Sequence, residues 1–263
     1  MNIRYFAWVR ERVGVEEETI DVPASVATVA DLISHLKSID DNHAAAFEEE
    51  DAIRIALDQM HVEADEALGN LATRLEKAGR PVYLIEWHVE YWDDLGWVDP
   101  FGAAQWTKRQ LAYKHALKTR SLYTPQAIVN GQHEFVGSRK SVARESIEDA
   151  LGEMATVSLE AKARRAASSY QIHFEVKGAP PRSQLMVALV EKDLESRVTR
   201  GENAGRLLKH SRVGRALKAV PIDAEQGSID LRIPRDVDPN RSEIVVFVQH
   251  RPTMGILAAT KAL

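Results

Sequence analysis

Apolar and polar positions alternate at the start of the chain, where Ile3, Tyr5, Ala7 and Val9 fall on one side of an extended segment and predict a strand. A second short strand is expected over Thr19–Val22, ending at Pro23. Val29, Leu32, Ile33 and Leu36 are spaced for one face of a helix, opened by a capping box at Thr28 and Asp31. Asp40–His43 and the acidic Glu48–Asp51 bracket a loop or short helix, after which Ile53, Ile55 and Leu57 alternate as a strand. Leu68, Leu71, Ala72 and Leu75 mark a helix that stops at Gly79, and Val82–Val89 is expected to be a buried strand. Helix formers fill residues 102–118, with Trp106 and Ala116 inward. Strands at Gln126–Val129 and His133–Val136 flank Asn130-Gly131, whose tolerance of positive φ suits a type I′ hairpin turn. A helix through Val142, Ile147 and Leu151 follows.

Beyond residue 155 the pattern turns to short strands separated by Gly, Pro and Asp. They are expected at Thr156–Glu160, Tyr170–Val176, Gln184–Glu191, Arg197–Arg200, Val213–Val220, Ser228–Ile233 and Glu243–Gln249, as an antiparallel sheet or sandwich. Over residues 53–152 the order strand, helix, strand, helix, strand, strand, helix is that of a thioredoxin domain.

Composition narrows the chemistry. With 44% hydrophobic and 28% charged residues the balance is that of a soluble globular protein. No apolar run approaches the ~18 residues of a membrane span, and the first residues lack a signal-peptide pattern, so a cytoplasmic location without membrane contact is expected. The chain has no cysteine, which excludes disulfides, thiolate metal sites, iron–sulfur clusters and a thiol nucleophile. Residues 1–64 hold 14 acids against 5 bases, a balance of −9. That asymmetry suits either a basic partner surface or a plain solvated face. Clustered basic and aromatic residues of a nucleic-acid binder are absent from the sequence.

Three segments carry candidate chemistry. Trp87–Phe101 packs three of the five tryptophans beside His88, Glu90, Trp92 and Asp93. It reads either as a pocket at the end of a strand, with His88 and Glu90 as acid/base or metal groups, or as a core edge whose aspartates cap a turn. Tyr123-Thr124-Pro125-Gln126 stands directly before a strand, where a thioredoxin fold places a cis-proline; an ordinary trans-proline is the competing reading. Arg200-Gly201-Glu202-Asn203-Ala204-Gly205-Arg206 offers either an anion-binding loop or a structural turn, and matches neither a Walker loop nor a dinucleotide fingerprint.

Two resemblances rest on these residues. Arg4–Glu11, the Val29–Ile33 helix and Ala52–Gln59 resemble the small subunit of molybdopterin synthase, a β-grasp sulfur carrier. That likeness implies a C-terminal Gly-Gly that is adenylated and converted to a thiocarboxylate, whereas this chain ends Ala262-Leu263. Trp87–Asp93, Tyr123–Gln126, Arg200–Arg206 and Ile256–Ala259 resemble the thioredoxin-like domain of unknown function 1223. Members of that family carry a Cys-x-x-Cys; here Leu57–Ala64 stands in its place. The expected fold is thus α/β: a partial β-grasp segment at 1–62, a thioredoxin-like domain at 53–152 sharing strand 53–59, and a β-rich region at 153–263. The expected function is a non-catalytic, redox-inactive module without cofactor or metal, binding a protein or peptide at a groove around Pro125. A role in molybdenum cofactor biosynthesis is the alternative.

Overall fold

The structure, a computed structural model, describes the chain except for residues 6, 24–25, 27–28, 49–59, 201–204 and 263. The expected strand 53–59, the Thr28 half of the capping box, and Gly201, Glu202 and Asn203 lie outside the described residues. Two compact units are formed, Met1–Ile55 with Asp94–Gly96, and Ala56–Asp93 with Trp97–Leu263.

In the smaller unit β1 (Asn2–Arg4) pairs antiparallel with β2 (Glu17–Thr19), and α1 (Ala7–Val13), α2 (Val29–Lys37) and α3 (Asp41–Ala46) complete it. The expected strand through Val9 is instead β1 followed by α1. Val9 and Val13, four apart, share a helix face and both pack into the unit's core, and this periodicity overrides a short alternation. The expected second strand begins and ends earlier than Thr19–Val22. Tyr5, Ile20, Leu32, Ile33, Leu36 and Phe47 are buried with Val13 in an apolar cluster. Its polar edge is a chain of bonds: Tyr5 Oη donates to Glu18 Oε1 at 2.6 Å, and His43 reaches Glu18 Oε1 at 2.6 Å and Asp40 Oδ1 at 2.8 Å.

The larger unit has mixed helix and strand content and a strand-rich C-terminal region. It opens with α4 (Met60–Lys77), an extended segment, α5 (Ala104–Leu117), the hairpin of β3 (Gln126–Val129) and β4 (His133–Val136), and α6 (Lys140–Gly152). Asn130 and Gly131 both have positive φ, at 49° and 69°, and Gln132 N–H closes the turn on Val129 O at 3.0 Å. Residues 82–89 are half-buried rather than fully buried and make a single ladder contact among the described residues, a parallel bridge between Glu86 and Val213.

The C-terminal strands are β5 (Ser158–Arg165), β6 (Ser169–Lys177), β7 (Ser183–Arg197), β8 (Leu207–Pro221), β9 (Gln226–Arg232), β10 (Ser242–His250) and β11 (Ile256–Ala262). They form two antiparallel sheets, ordered β11-β10-β7-β8 and β5-β6-β9. The expected strand 197–200 does not exist separately, because β7 runs on to Arg197 and the chain then turns. Leu185, Val187 and Leu189 of β7, with Ile244, Val246 and Val248 of β10, meet Ile172 and Val176 of β6 and Ile229 and Leu231 of β9 in one core. The alternate residues Met186, Ala188, Val190, Val245 and Phe247 form a second cluster on the far face, closed by Tyr83, Ile85 and Trp87. Two-sided burial explains why these strands read as continuous apolar runs. Each fully buried aliphatic side chain contributes about 1.5–3 kcal/mol. Charged side chains of the sheet are ion-paired: Arg212 Nη2 meets Glu76 Oε2 of α4 at 2.6 Å, Lys261 Nζ meets Glu243 Oε2 at 2.9 Å, and the buried Glu191 of β7 meets Arg215 at 2.5 Å.

Trp87 packs closely against Gly214, where an added Cβ would sit 2.2 Å from the indole ring. Gly214→Ala is expected to destabilise the larger unit by about 1–3 kcal/mol, read as a lower urea midpoint; an unchanged midpoint would refute this packing. In the smaller unit, burial pushes the His43 pKa down, but hydrogen bonds and charges from Glu18 and Asp40 outweigh it and the net shift is upward. Glu18 is lowered chiefly by the Tyr5 hydroxyl, and Asp40 chiefly by the His43 backbone N–H. The His43 contribution is therefore complete below its ordinary ~6.5 and lost as pH rises through the folded value. The carboxylate contributions are complete above their ordinary ~4 and lost as pH falls. Hydrogen-exchange protection of the small-unit amides should peak between about pH 4.5 and 6.5, and His43→Gln should abolish the alkaline decline.

Candidate functional site

The extended segment before α5 positions the first two site residues. Its period of two sends Tyr83, Ile85 and Trp87 into the second apolar cluster and leaves Glu86 and His88 on the other side. Backbone bonds hold it in register with β8: Glu86 N–H donates to Arg212 O, and Gly214 N–H to Glu86 O, both at 2.8 Å. Helix α4 packs on the same strand and brings in Asp65. The approach is close enough that a Cβ on Gly69 would lie 2.4 Å from Ser211 Oγ. His210 comes from β8 itself and is 3% exposed.

Asp65, Glu86, His88 and His210 thereby converge, with one potential donor atom of each within 4.8 Å of all the others. Each of three has its other polar atom engaged. His88 Nδ1–H donates to Asp99 Oδ2 at 2.6 Å, His210 Nε2 bonds the Ser196 hydroxyl at 2.8 Å, and Ser211 Oγ donates to Glu86 Oε1 at 2.6 Å. Asp99 is itself fixed, since its Oδ1 accepts from Phe101 N–H at 2.9 Å. The Phe101 ring stands edge-on to both imidazoles, 5.6 Å from His88 and 5.5 Å from His210.

The electrostatics follow from this crowding. Burial, then the charge of Asp65, pushes the Glu86 carboxyl up. Burial works against the His88 cation, but the Asp99 bond and the charges of Asp99, Asp65 and Glu86 outweigh it and raise its pKa. Burial likewise opposes the Asp99 anion, yet the His88 bond and charge hold Asp99 below the usual carboxylate range. The chemistry available is cation binding or proton exchange between a held imidazole and a carboxyl.

The residues expected around Pro125 are divided by the structure. His88 belongs to the cluster just described, whereas Glu90 accepts from the Thr107 hydroxyl. Asp93 Oδ1 accepts from Asp99 N–H at 3.1 Å. Trp92 and Thr124 are brought together, with Nε1–H donating to Oγ1 at 2.9 Å. The Thr124–Pro125 bond is cis. Tyr123 donates its hydroxyl to Glu134, Gln126 Nε2 donates to Glu134 Oε1 at 2.8 Å, and Gln110 Nε2 donates to Tyr123 O at 2.8 Å. Tyr123, Gln126, Glu134 and Gln110 thus form one network, beside which Trp92 and Thr124 make a separate pair.

Arg200 and Arg206 are exposed and flank the connection from β7 to β8. Val198 N–H donates to Arg206 O at 3.0 Å and Gly205 N–H donates to Val198 O at 2.8 Å, pairing the two described ends of this connection.

Residue patterns along the chain pointed to His88 but missed Glu86, Asp65, Asp99 and His210. The one available signal was Glu86, a carboxylate inside an otherwise apolar strand pattern.

Comparison with known proteins bears on the fold and lineage. A family model described as protein of unknown function (DUF1223) matches residues 59–249, and the model of the ThiS family matches residues 3–70. No curated protein matches. A crystal structure of a protein from Agrobacterium tumefaciens is 22% identical, covers 76% of this chain and 86% of its own, and superposes with a TM-score of 0.55, a likeness of fold. A domain of the outer membrane lipoprotein Omp28 from Porphyromonas gingivalis is 13% identical over 42% of this chain and 88% of its own, with a TM-score of 0.27. With its match spanning most of the sequence, the chain belongs to the DUF1223 family and carries a ThiS-like segment at its N-terminus.

Proposed function

We propose that the chain is a thiol-independent binding module of the cytoplasm. Residues 53–152 form a thioredoxin-like body, 153–263 a β-rich region fused to it, and 1–62 a truncated β-grasp appendage. The observation that carries the proposal is the absence of cysteine from all 263 residues. Dithiol exchange requires a thiolate attacker, and no other side chain replaces it. What the body retains is a rigid polar and aromatic surface, with Trp92 tied to Thr124, and Tyr123 and Gln126 tied to Glu134. Such a surface suits an extended peptide whose backbone pairs beside Pro125. The acidic N-terminal segment adds a place for a basic partner surface.

A second reading, a sulfur-carrier role in molybdenum cofactor biosynthesis, is favoured by the ThiS match over residues 3–70. Against it, no two of the chain's 14 glycines are adjacent, so the Gly-Gly acceptor of that chemistry is missing from the sequence.

Three measurements separate these readings. In an insulin-reduction assay the full chain should leave the rate at the level of dithiothreitol alone; acceleration would refute the redox-inactive reading. Extended peptides should quench tryptophan fluorescence saturably, and Glu134→Ala should weaken that binding about tenfold by releasing Tyr123 and Gln126, a loss of about 1.4 kcal/mol. No saturable change with a diverse peptide set would remove the groove. Labelled adenylate on the chain after incubation with a sulfur-carrier-adenylating enzyme would establish the second reading instead.

A further inference from the structure

Asp65, Glu86, His88 and His210 pose a problem of polar satisfaction that hydrogen bonds in the protein leave open. The outward atoms of Glu86, His88 and His210 are held by Ser211, Asp99 and Ser196. What remains facing inward is Glu86 Oε2, His88 Nε2 and His210 Nδ1. Glu86 Oε2 and His210 Nδ1 are sealed from solvent and make no hydrogen bond. The nearby Asp65 Oδ2 stands 3.6 Å from His210 Nδ1, beyond hydrogen-bond length. An unsatisfied buried polar atom costs about 1–3 kcal/mol, and more when charged. The cluster also sets two carboxylates side by side, which repel unless a cation or proton lies between them.

The orientation of each group favours a cation. Where the outer nitrogen donates its N–H, from His88 to Asp99 or from His210 to the Ser196 hydroxyl, the other nitrogen's lone pair points inward, and fixing one carboxylate oxygen aims the other. This is the arrangement in which outer partners orient metal ligands. Two imidazoles and two carboxylates make a mixed nitrogen and oxygen donor set, suited to zinc-type divalent ions. Copper(I) favours sulfur ligands, and magnesium and calcium favour all-oxygen ones. Ligand bonds of about 2.0–2.1 Å place tetrahedral donors about 3.4 Å apart. Donor atoms already within 4.8 Å of each other reach that spacing by small side-chain rotations.

We propose that Asp65, Glu86, His88 and His210 bind one divalent first-row transition ion of the zinc type, with Ser211, Asp99 and Ser196 orienting the ligands. The hydrogen bonds described above for Trp92, Thr124, Tyr123 and Gln126 around Pro125 do not run to any of the four ligands. The site joins α4, the extended segment and β8 at one point, so an ion there also ties the helical part of the larger unit to the sheet.

The test uses the full-length chain stripped with a chelator and titrated with zinc. Calorimetry and elemental analysis should give one equivalent per chain. Cobalt(II) should give visible ligand-field bands that zinc displaces. His210→Ala and Glu86→Gln should each weaken zinc binding at least about 100-fold, and Asp99→Asn, a positioning residue, about 10- to 100-fold. Glu148→Gln, on α6 and paired with Arg80, should leave affinity unchanged. Glu86→Gln keeps the side-chain size and the Ser211 bond, and circular dichroism checks its fold. Should a ligand variant unfold, zinc-dependent shifts of the His88 and His210 ring resonances in the unmutated chain decide the matter. Zinc uptake of less than one equivalent, equal affinity in folded Glu86→Gln and wild type, or unmoved imidazole resonances would each overturn the proposal.

Discussion

Strands β7 and β10 are buried on both faces, and the position of the larger unit's remaining parts follows from how those faces are covered. One face is closed by the three-stranded sheet through Ile172, Val176, Ile229 and Leu231. The other must also be removed from water, and the segment carrying Tyr83, Ile85 and Trp87 does this. Because side chains alternate along that extended segment, placing the odd-numbered residues on the sheet turns Glu86 and His88 the opposite way. The parallel bridge to Val213 then fixes their height along β8, beside His210 and Ser211. Hydrophobic burial thus sets the register on which the polar cluster depends.

The two polar constellations of this unit differ in how their hydrogen-bonding capacity is met. Around Pro125, Tyr123, Gln126, Gln110, Glu134, Trp92 and Thr124 meet donor to acceptor. A satisfied network of this kind stiffens a surface at little cost. At the His and carboxylate cluster the outward atoms of Glu86, His88 and His210 are satisfied, whereas Glu86 Oε2 and His210 Nδ1 are buried without a hydrogen bond. The proposed divalent ion would take up these inward atoms without disturbing their outer partners. The glycines at 69 and 214 serve the same geometry, one admitting α4 against Ser211 and the other admitting Trp87 against β8.

The smaller unit solves a smaller problem with fewer residues. Eight buried apolar side chains among the described residues form its core, and Tyr5, Glu18, His43 and Asp40 seal one edge by hydrogen bonds. A core of this size has little reserve, which is why the ionic edge matters and why pH is the natural variable to probe it. This segment is similar to the ThiS family over residues 3–70, and no two glycines of the sequence are adjacent.

Much of this architecture is written in local pattern. The spacing of Leu32, Ile33 and Leu36 gives α2, Asn130-Gly131 gives the hairpin turn, and the apolar runs at 184–191 and 243–249 give the central strands. Absence of cysteine, a property of composition, excludes thiol chemistry with no structure needed. Local pattern failed where two periods fit the same residues, as at Val9 and Val13, and where an extended segment makes a single ladder contact among the described residues, as at 82–89. The candidate site was legible only in part: His88 stood out among tryptophans and acids, while its companions lie 2, 23 and 122 positions away in sequence, at Glu86, Asp65 and His210. No periodicity relates such positions. They meet because the covering of a doubly buried sheet places α4, an extended strand and β8 at one point, and that depends on long-range packing rather than on neighbouring residues.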